Sequence, residues 1–200
     1  MTRDVEQAKD NAVAVTPPRL QSLIASIGAA KARGPAPVDL WHPPYCGEID
    51  LRIASDGTWF YAGTPILRPA LVALFAGILR KDAERYVLVT PVECVGISVE
   101  DAPFIGVAMA EDAGALVIGT NLGDEVRAGA EHPLRFALDE SDGVKPYVHI
   151  RGGLWARLTR SLALELLDRG ETRMHDGAET FGVHSGAIFF PVTAPEASHA

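Results

Sequence analysis

Three arginines stand where the chain's punctuation suggests that helices begin. Arg68 follows Gly63-Thr64-Pro65, Arg151 precedes Gly152-Gly153, and Arg157 comes shortly after that glycine pair. A helix N-terminus exposes unpaired N–H groups and carries about half a positive charge, so cations are disfavoured there and anions are welcome. Glycines ahead of it let backbone amides approach a ligand, and a guanidinium adds a forked donor. Both places suit a phosphate or carboxylate. The structural alternative is that each arginine pairs with an acid on a neighbouring strand or points into water. A second constellation is Glu48, Asp50 and Arg52, which a period of two places on one strand face, with Ile49, Leu51 and Ile53 on the other. That face is either one wall of a polar cleft or a solvated row of charge pairs worth about 1 kcal/mol or less each. Trp59 and Tyr61 share a face that either stacks on a planar ligand or packs into the core.

Signs of catalysis and metal binding are thin. Gly182-Val183-His184-Ser185-Gly186 lacks the glycine spacing of a nucleophile elbow, and a strand would turn His184 and Ser185 to opposite faces. His42, Cys46 and Cys94 have no paired CxxC or HExxH spacing, so no metal is expected. Neither glycine segment is a Walker loop or a dinucleotide fingerprint, and no cofactor is expected.

The elements that position these residues are short. Leu20, Leu23, Ile24 and Ile27 have helical spacing, which predicts an amphipathic helix over Pro18 to Lys31, followed by a Pro-rich connector from Gly34 to Pro44. Glu48 to Ile53 alternates as a half-buried strand; Ser55-Asp56-Gly57 turns it into a second strand, Thr58 to Gly63. Thr64 as N-cap and Pro65 at the first position predict a helix carrying Leu67, Leu71, Leu74, Phe75, Ile78 and Leu79, with Lys81 and Asp82 near its end. Strands follow over Tyr86 to Thr90 and Cys94 to Val99. From Asp101 an antiparallel meander is expected over Phe104 to Ala110, Ala115 to Thr120, Asp124 to Ala128 and Leu134 to Leu138. A turn at Ser141-Asp142-Gly143, a strand over Tyr147 to Ile150, a helix over Leu154 to Arg169 and strands near Glu179 to Val183 and Ala187 to Val192 complete the reading.

With 200 residues, 48% of them apolar, the chain can bury one large core or two small ones, which excludes general disorder. Its 19 glycines and 14 prolines favour turns and short strands over a long-helix bundle. The net charge of -8 argues against a nucleic-acid polymer or an anionic membrane as partner. No apolar run is long enough to span a bilayer and Met1 to Val15 does not read as a signal peptide, so a cytoplasmic location with reduced thiols is expected.

Trp59 to Leu67 aligns without a gap to Tyr147 to Trp155, and the frame continues to place Leu74 on Leu162, Ile78 on Leu166 and Leu79 on Leu167. A duplicated strand–helix–strand–strand unit is the expectation, with two lobes and a ligand cleft between them. The alternative is that both halves merely use a common pattern. The stretch Cys46-Gly47-Glu48-Ile49-Asp50-Leu51-Arg52-Ile53 leads a wider resemblance. With Asp56 to Tyr61, Gly63 to Ile66, Leu88 to Glu93, Val99 to Phe104, Tyr147 to Leu154, Ser185-Gly186 and Phe189-Phe190-Pro191, it resembles a bacterial family catalogued as domain of unknown function 1285. The resemblance implies an α+β fold of two lobes with repeated motifs, mainly antiparallel sheets, and a C-terminal lobe like a pleckstrin-homology barrel. It also implies a nucleotide-like ligand between the lobes and a signalling role.

These readings divide the chain into an N-terminal helix and connector (1–45), an α+β lobe (46–100), a pleckstrin-like lobe (101–193) and a loose tail (194–200). The leading functional expectation is non-catalytic binding of a small anionic ligand between the lobes. Arg68 or Arg151 and the amides of Gly152 and Gly153 would hold it, with Glu48, Asp50, Arg52 and Ser185 near. A protein-interaction scaffold is the alternative, and a hydrolase acting on a phosphorylated metabolite the third.

Overall fold

The structure is a computed structural model, and it describes residues 36–139 and 143–192. The expected helix over Pro18 to Lys31, the turn residues Ser141 and Asp142 and the tail from Ala194 lie outside the described residues.

Six strands form the N-terminal sheet: β1 (Tyr45–Ile53), β2 (Trp59–Tyr61), β3 (Thr64–Pro65), β4 (Leu79–Asp82), β5 (Arg85–Val89) and β6 (Cys94–Val99). Their order is β3-β2-β1-β6-β5-β4, so the chain must cross from one edge of the sheet to the other between β3 and β4. Helix α1 (Pro69–Ala76) makes that crossing. Only β1 and β6 run parallel within this sheet.

The helix begins later than its first proline suggests. Thr64 and Pro65 are paired in β3, and the N-cap is Arg68, held extended at φ -96° and ψ 104° ahead of Pro69. A proline clashes with a helical residue before it. The second proline therefore overrides Pro65, and Lys81 and Asp82 fall in β4 instead of at a helix end.

The C-terminal half holds a second six-stranded sheet: β7 (Phe104–Asp112), β8 (Ala115–Thr120), β9 (Glu125–Arg127), β10 (Leu134–Asp139), β11 (Gly143–Arg151) and β12 (Leu154–Leu158). The order is β10-β11-β12-β7-β8-β9, with β12 parallel to β7, and the sheet curls into a half-barrel. Helix α2 (Arg160–Asp168) leads to a three-stranded antiparallel sheet of β13 (Glu171–His175), β14 (Ala178–Ser185) and β15 (Ile188–Pro191).

The helix expected over Leu154 to Arg169 is thus a strand followed by a shorter helix. Gly152 (φ +49°) and Gly153 (φ +77°) are both left-handed, which makes a tight hairpin turn and not a helix entry. Beyond the turn Leu154, Ala156 and Leu158 are buried while Trp155 and Arg157 are half-buried, so burial follows a period of two. The helix starts only after Thr159, whose hydroxyl accepts from the Leu162 N–H.

The same order of elements occurs twice: three strands, a helix and three strands, as β1-β2-β3-α1-β4-β5-β6 and as β10-β11-β12-α2-β13-β14-β15, with β7 to β9 between them. One core cluster runs through both halves. Leu51, Ile53, Trp59 and Phe75 from the first half join Phe104, Ile118, Leu154 and Leu166 from the second, all buried to 1% exposure or less. Trp59 stacks on Phe75, so this indole is core and does not face a ligand. Among the described residues no helix is long and apolar enough to cross a membrane.

Candidate functional site

The glycine pair and the arginines around it form a seam between the two halves. Arg151 ends β11 and spans it: Nη1 donates to Asp124 Oδ1 (2.8 Å) and Nη2 to the carbonyl of Ala76 at the end of α1 (2.8 Å), with the guanidinium 5.1 Å from the Phe104 ring. The last carbonyls of a helix lack intrahelical partners, so Arg151 acts as a remote C-cap. Arg157, on β12, sends Nη2 to the Ser55 carbonyl (2.8 Å) and lies with Nε 3.2 Å from Asp101 Oδ2. That Nε contact is an ion pair without hydrogen-bond alignment, since the buried Nε–H finds no acceptor. Tyr147 completes the group by donating to Asp101 Oδ1 (2.8 Å). Both arginines are neutralised from within, so the geometry uses them to join the halves.

Gly57, in the turn before β2, lets the halves come this close. Its φ is +85°, and a Cβ there would lie 2.7 Å from Ile105 Cγ1 and 3.1 Å from Asn121 Nδ2.

The other expected residues are dispersed. Ser185 is 2% exposed and stitches β14 to the curled sheet, accepting from Leu116 N (2.9 Å) and donating to the Ala128 carbonyl (2.7 Å). Arg68 is exposed at the start of α1, the end opposite Ala76. Arg52 pairs with Glu100, whose other oxygen accepts from Ser55 N (2.9 Å), and lies 4.4 Å from the Phe60 ring. Glu48 and Asp50 are exposed on β1, as the alternation demanded. Glu48 borders an open depression of about 790 Å³ that also holds Asp82, Glu84, Arg85 and Ser98. Asp82 is paired with Arg80, and Glu48 and Glu84 still outnumber Arg85 there, so the depression is a poor home for an anion.

Two cations along the seam have no acidic partner among the described residues. Arg135, on β10, stacks on two rings at once, 4.3 Å from the Trp155 centroid and 4.9 Å from that of Tyr147. Lys81, on β4, lies 5.4 Å from the Tyr86 ring, and its stem passes Gly153, where a Cβ would meet Lys81 Cδ at 3.7 Å. Among the described residues neither cation has an ion-pair partner. His149 links them. Its ring meets Trp155 edge-on at 5.2 Å, its Nε2 accepts from the Gly153 N–H (3.4 Å) and its Nδ1 lies 3.0 Å from the Glu131 carbonyl. The result is two uncompensated cations with Tyr86, Tyr147, Trp155 and His149 between them. Sequence reasoning missed Arg135 and Lys81 because no local motif marks them. The one available signal was cross-strand: Arg135 stands opposite Tyr147 in the β10–β11 register.

Burial and the bond to Asp101 push the Tyr147 phenol up to about 12. Burial likewise raises Tyr86, where the nearby charge of Arg135 works in the opposite direction. Both phenols stay neutral donors at neutral pH. Among the described residues no three His, Cys, Asp or Glu side chains converge to hold a metal.

A family profile described as "Domain of unknown function (DUF1285), N-terminal domain" matches residues 36–102, and one described as "Protein of unknown function (DUF1285), C-terminal domain" matches residues 103–192. A crystal structure of a DUF1285 family protein from Silicibacter pomeroyi DSS-3 is 49% identical, with a TM-score of 0.75 over 87% of this chain and 96% of that one. A second, from Shewanella baltica OS155, is 28% identical, with a TM-score of 0.49 over 60% of this chain and 91% of that one. No curated protein matches this chain.

Proposed function

The chain belongs to the DUF1285 family, and from that premise we propose that it binds a small ligand, joining an anionic group to a planar one, at the seam of its two halves and without catalysis. The observation that carries this reading is Arg135: a guanidinium over the Trp155 and Tyr147 rings, whose charge is also felt by Tyr86, the ring that Lys81 faces, with no acid among the described residues to neutralise either cation. Arg135 is exposed and Lys81 half-buried, so both cations are open to a solute. Placed against low-dielectric ring faces, they attract an anion more strongly than they would in open water. The rings add stacking surface for a base or similar plane. In this reading the anion site lies on Arg135 and Lys81, while Arg151 and Arg157 hold its walls. The C-terminal half-barrel is then of the pleckstrin-homology type, the protein works in the cytoplasm, and ligand occupancy is its signalling state.

The test is thermal unfolding with a 5′-nucleoside monophosphate, inorganic phosphate and an uncharged nucleoside. At a hundred times Kd a bound ligand adds about 2.7 kcal/mol. The monophosphate should raise Tm, and Arg135→Gln should remove the rise while leaving the basal unfolding free energy within about 1 kcal/mol of the parent's, the size of an exposed cation–ring contact. No shift with any anion, or a shift unchanged in Arg135→Gln, refutes the proposal.

One observation favours a second reading as an interaction module. β13 is an edge strand, with Met174 61% exposed on it and Phe181 39% exposed on its neighbour β14. An open edge, here largely polar but with Met174 and Phe181 exposed on it and beside it, invites a further strand. Capture of a partner peptide that survives Arg135→Gln but fails on Met174→Lys would support that reading.

A further inference from the structure

Strand β13 pairs with β14 on one side, and among the described residues no strand pairs with its other side. The turn that joins the two strands sets which backbone groups face outward. Asp176 (φ +50°) and Gly177 (φ +83°) are both left-handed, as a two-residue hairpin loop requires. Such a loop closes on a hydrogen-bonded pair, here His175 with Ala178, and positions bonded to β14 then alternate with positions facing away. Glu171, Arg173 and His175 thus turn their N–H and C=O groups to β14, while Thr172 and Met174 present theirs to the open edge. An edge of this kind is a template for another strand.

The side chains fit that further strand to a second copy of β13, running antiparallel about a two-fold axis at Thr172. In this register each outward Thr172 meets the partner's Thr172, N–H to C=O. Glu171 stands opposite the partner's Arg173, and Arg173 opposite the partner's Glu171. Side chains so opposed have Cβ atoms about 4.5–5.5 Å apart, where unlike charges stabilise the pair and like charges destabilise it. An axis at Arg173 would set two guanidiniums face to face, and one at Met174 would set Arg173 against His175, so charge selects the Thr172 register. Both charges are free to take part. They are exposed, and within one chain they converge on His184, whose Nε2 lies 3.0 Å from Glu171 Oε1 and 3.1 Å from Arg173 Nη1. On the other face Met174 stands opposite the partner's Gly170. A Cβ at Gly170 would overlap the Phe181 ring, so the glycine leaves that ring open to the incoming methionine. Met174 (61% exposed) and Phe181 (39% exposed) then cover each other in a sulfur–aromatic contact.

We propose that two copies of the chain pair through β13, joining their three-stranded sheets into one six-stranded antiparallel sheet. This rests on the open edge noted under the second reading above, with a second copy as its occupant, and is independent of anion binding at the seam. Five residues of edge cover less than the roughly 800 Å² per partner of a standard interface, so the dimer is weak and concentration-dependent. The test is sedimentation of the full chain from low micromolar to millimolar concentration. The parent should pass from monomer to dimer across that range. Glu171→Arg and Arg173→Glu, both at exposed positions, should each weaken self-association at least tenfold, because each sets like charges opposite one another. An equimolar mixture of the two variants should dimerise as well as the parent, since only the mixed pair restores Arg against Glu at both places. A parent that stays monomeric to millimolar concentration overturns the proposal and gives the edge to a foreign strand. A dimer indifferent to both substitutions, or a mixture that associates no better than its components, overturns it as well.

Discussion

Replacing Arg151 should cost stability and not ligand affinity, and the size of the loss follows from its contacts. In Arg151→Ala the Ala76 carbonyl loses a charged donor at 2.8 Å and Asp124 loses its partner at 2.8 Å. A hydrogen bond from a charged group is worth about 1.5–3 kcal/mol. The ion pair, whose two side chains are 35% and 30% exposed, adds at most about 1 kcal/mol, and the contact with Phe104 roughly 0.5–1 kcal/mol. These contributions share one side chain and are not additive, so the expected loss is about 2–4 kcal/mol. For a chain of this length 1 kcal/mol moves Tm by about 2–4 °C, so the fall should be on the order of 5–12 °C. Arg151→Lys should be intermediate, because a single ammonium cannot bridge both acceptors in the manner of a planar fork. Urea unfolding of Arg151→Ala, Asp124→Asn and the double variant isolates the ion-pair share. If Arg151→Ala leaves Tm unchanged but abolishes stabilisation by an added anion, the assignment of Arg151 as a strut is wrong, and the expectation that it binds an anion returns.

Ser185→Ala removes the partner of two backbone groups inside the protein, Leu116 N–H and the Ala128 carbonyl. It should lower the unfolding free energy by about 1–3 kcal/mol; a loss below 0.5 kcal/mol in urea would contradict the buried bonding pattern (roughly the scatter of surface substitutions). Tyr147 keeps its proton to about 12 in the folded chain and loses it near 10 when unfolded. Unfolding between those values releases a proton, so the stability tied to this phenol is whole below pH 10 and declines as pH rises towards 12. Tyr147→Phe should flatten that decline in a pH series of denaturation midpoints; a curve parallel to the parent's would show that the phenol is not held as described.

Alternation was enough to place β1, while short apolar runs bounded by turn residues placed β5, β6 and β8, of which β5 and β6 are largely buried. Adjacent left-handed residues are equally local. The Asp176-Gly177 pair between Glu171 and Ala178 signals a hairpin, yet β13 went unseen because Glu-Thr-Arg-Met-His carries no apolar alternation. The misplaced helix starts have a common cause. Pro65 and Leu154 each satisfied a local rule, and a stronger constraint a few residues away, Pro69 in one case and the Gly152-Gly153 hairpin in the other, displaced the helix.

The sequence by itself determined the apolar faces, the turns and the relatedness to DUF1285, since these depend on neighbours along the chain. Only the tertiary structure decided what each charge does. Arg151 and Asp124 are 27 residues apart, Arg151 and Ala76 are 75 apart, and Arg157 and Ser55 are 102 apart. Whether a guanidinium is neutralised from within or left for a ligand depends on which acids and carbonyls the fold brings within 3 Å of it. That is why Arg151, flagged by its glycines, became a strut, while Arg135, flagged by no local motif, was left with two aromatic rings and no acid among the described residues.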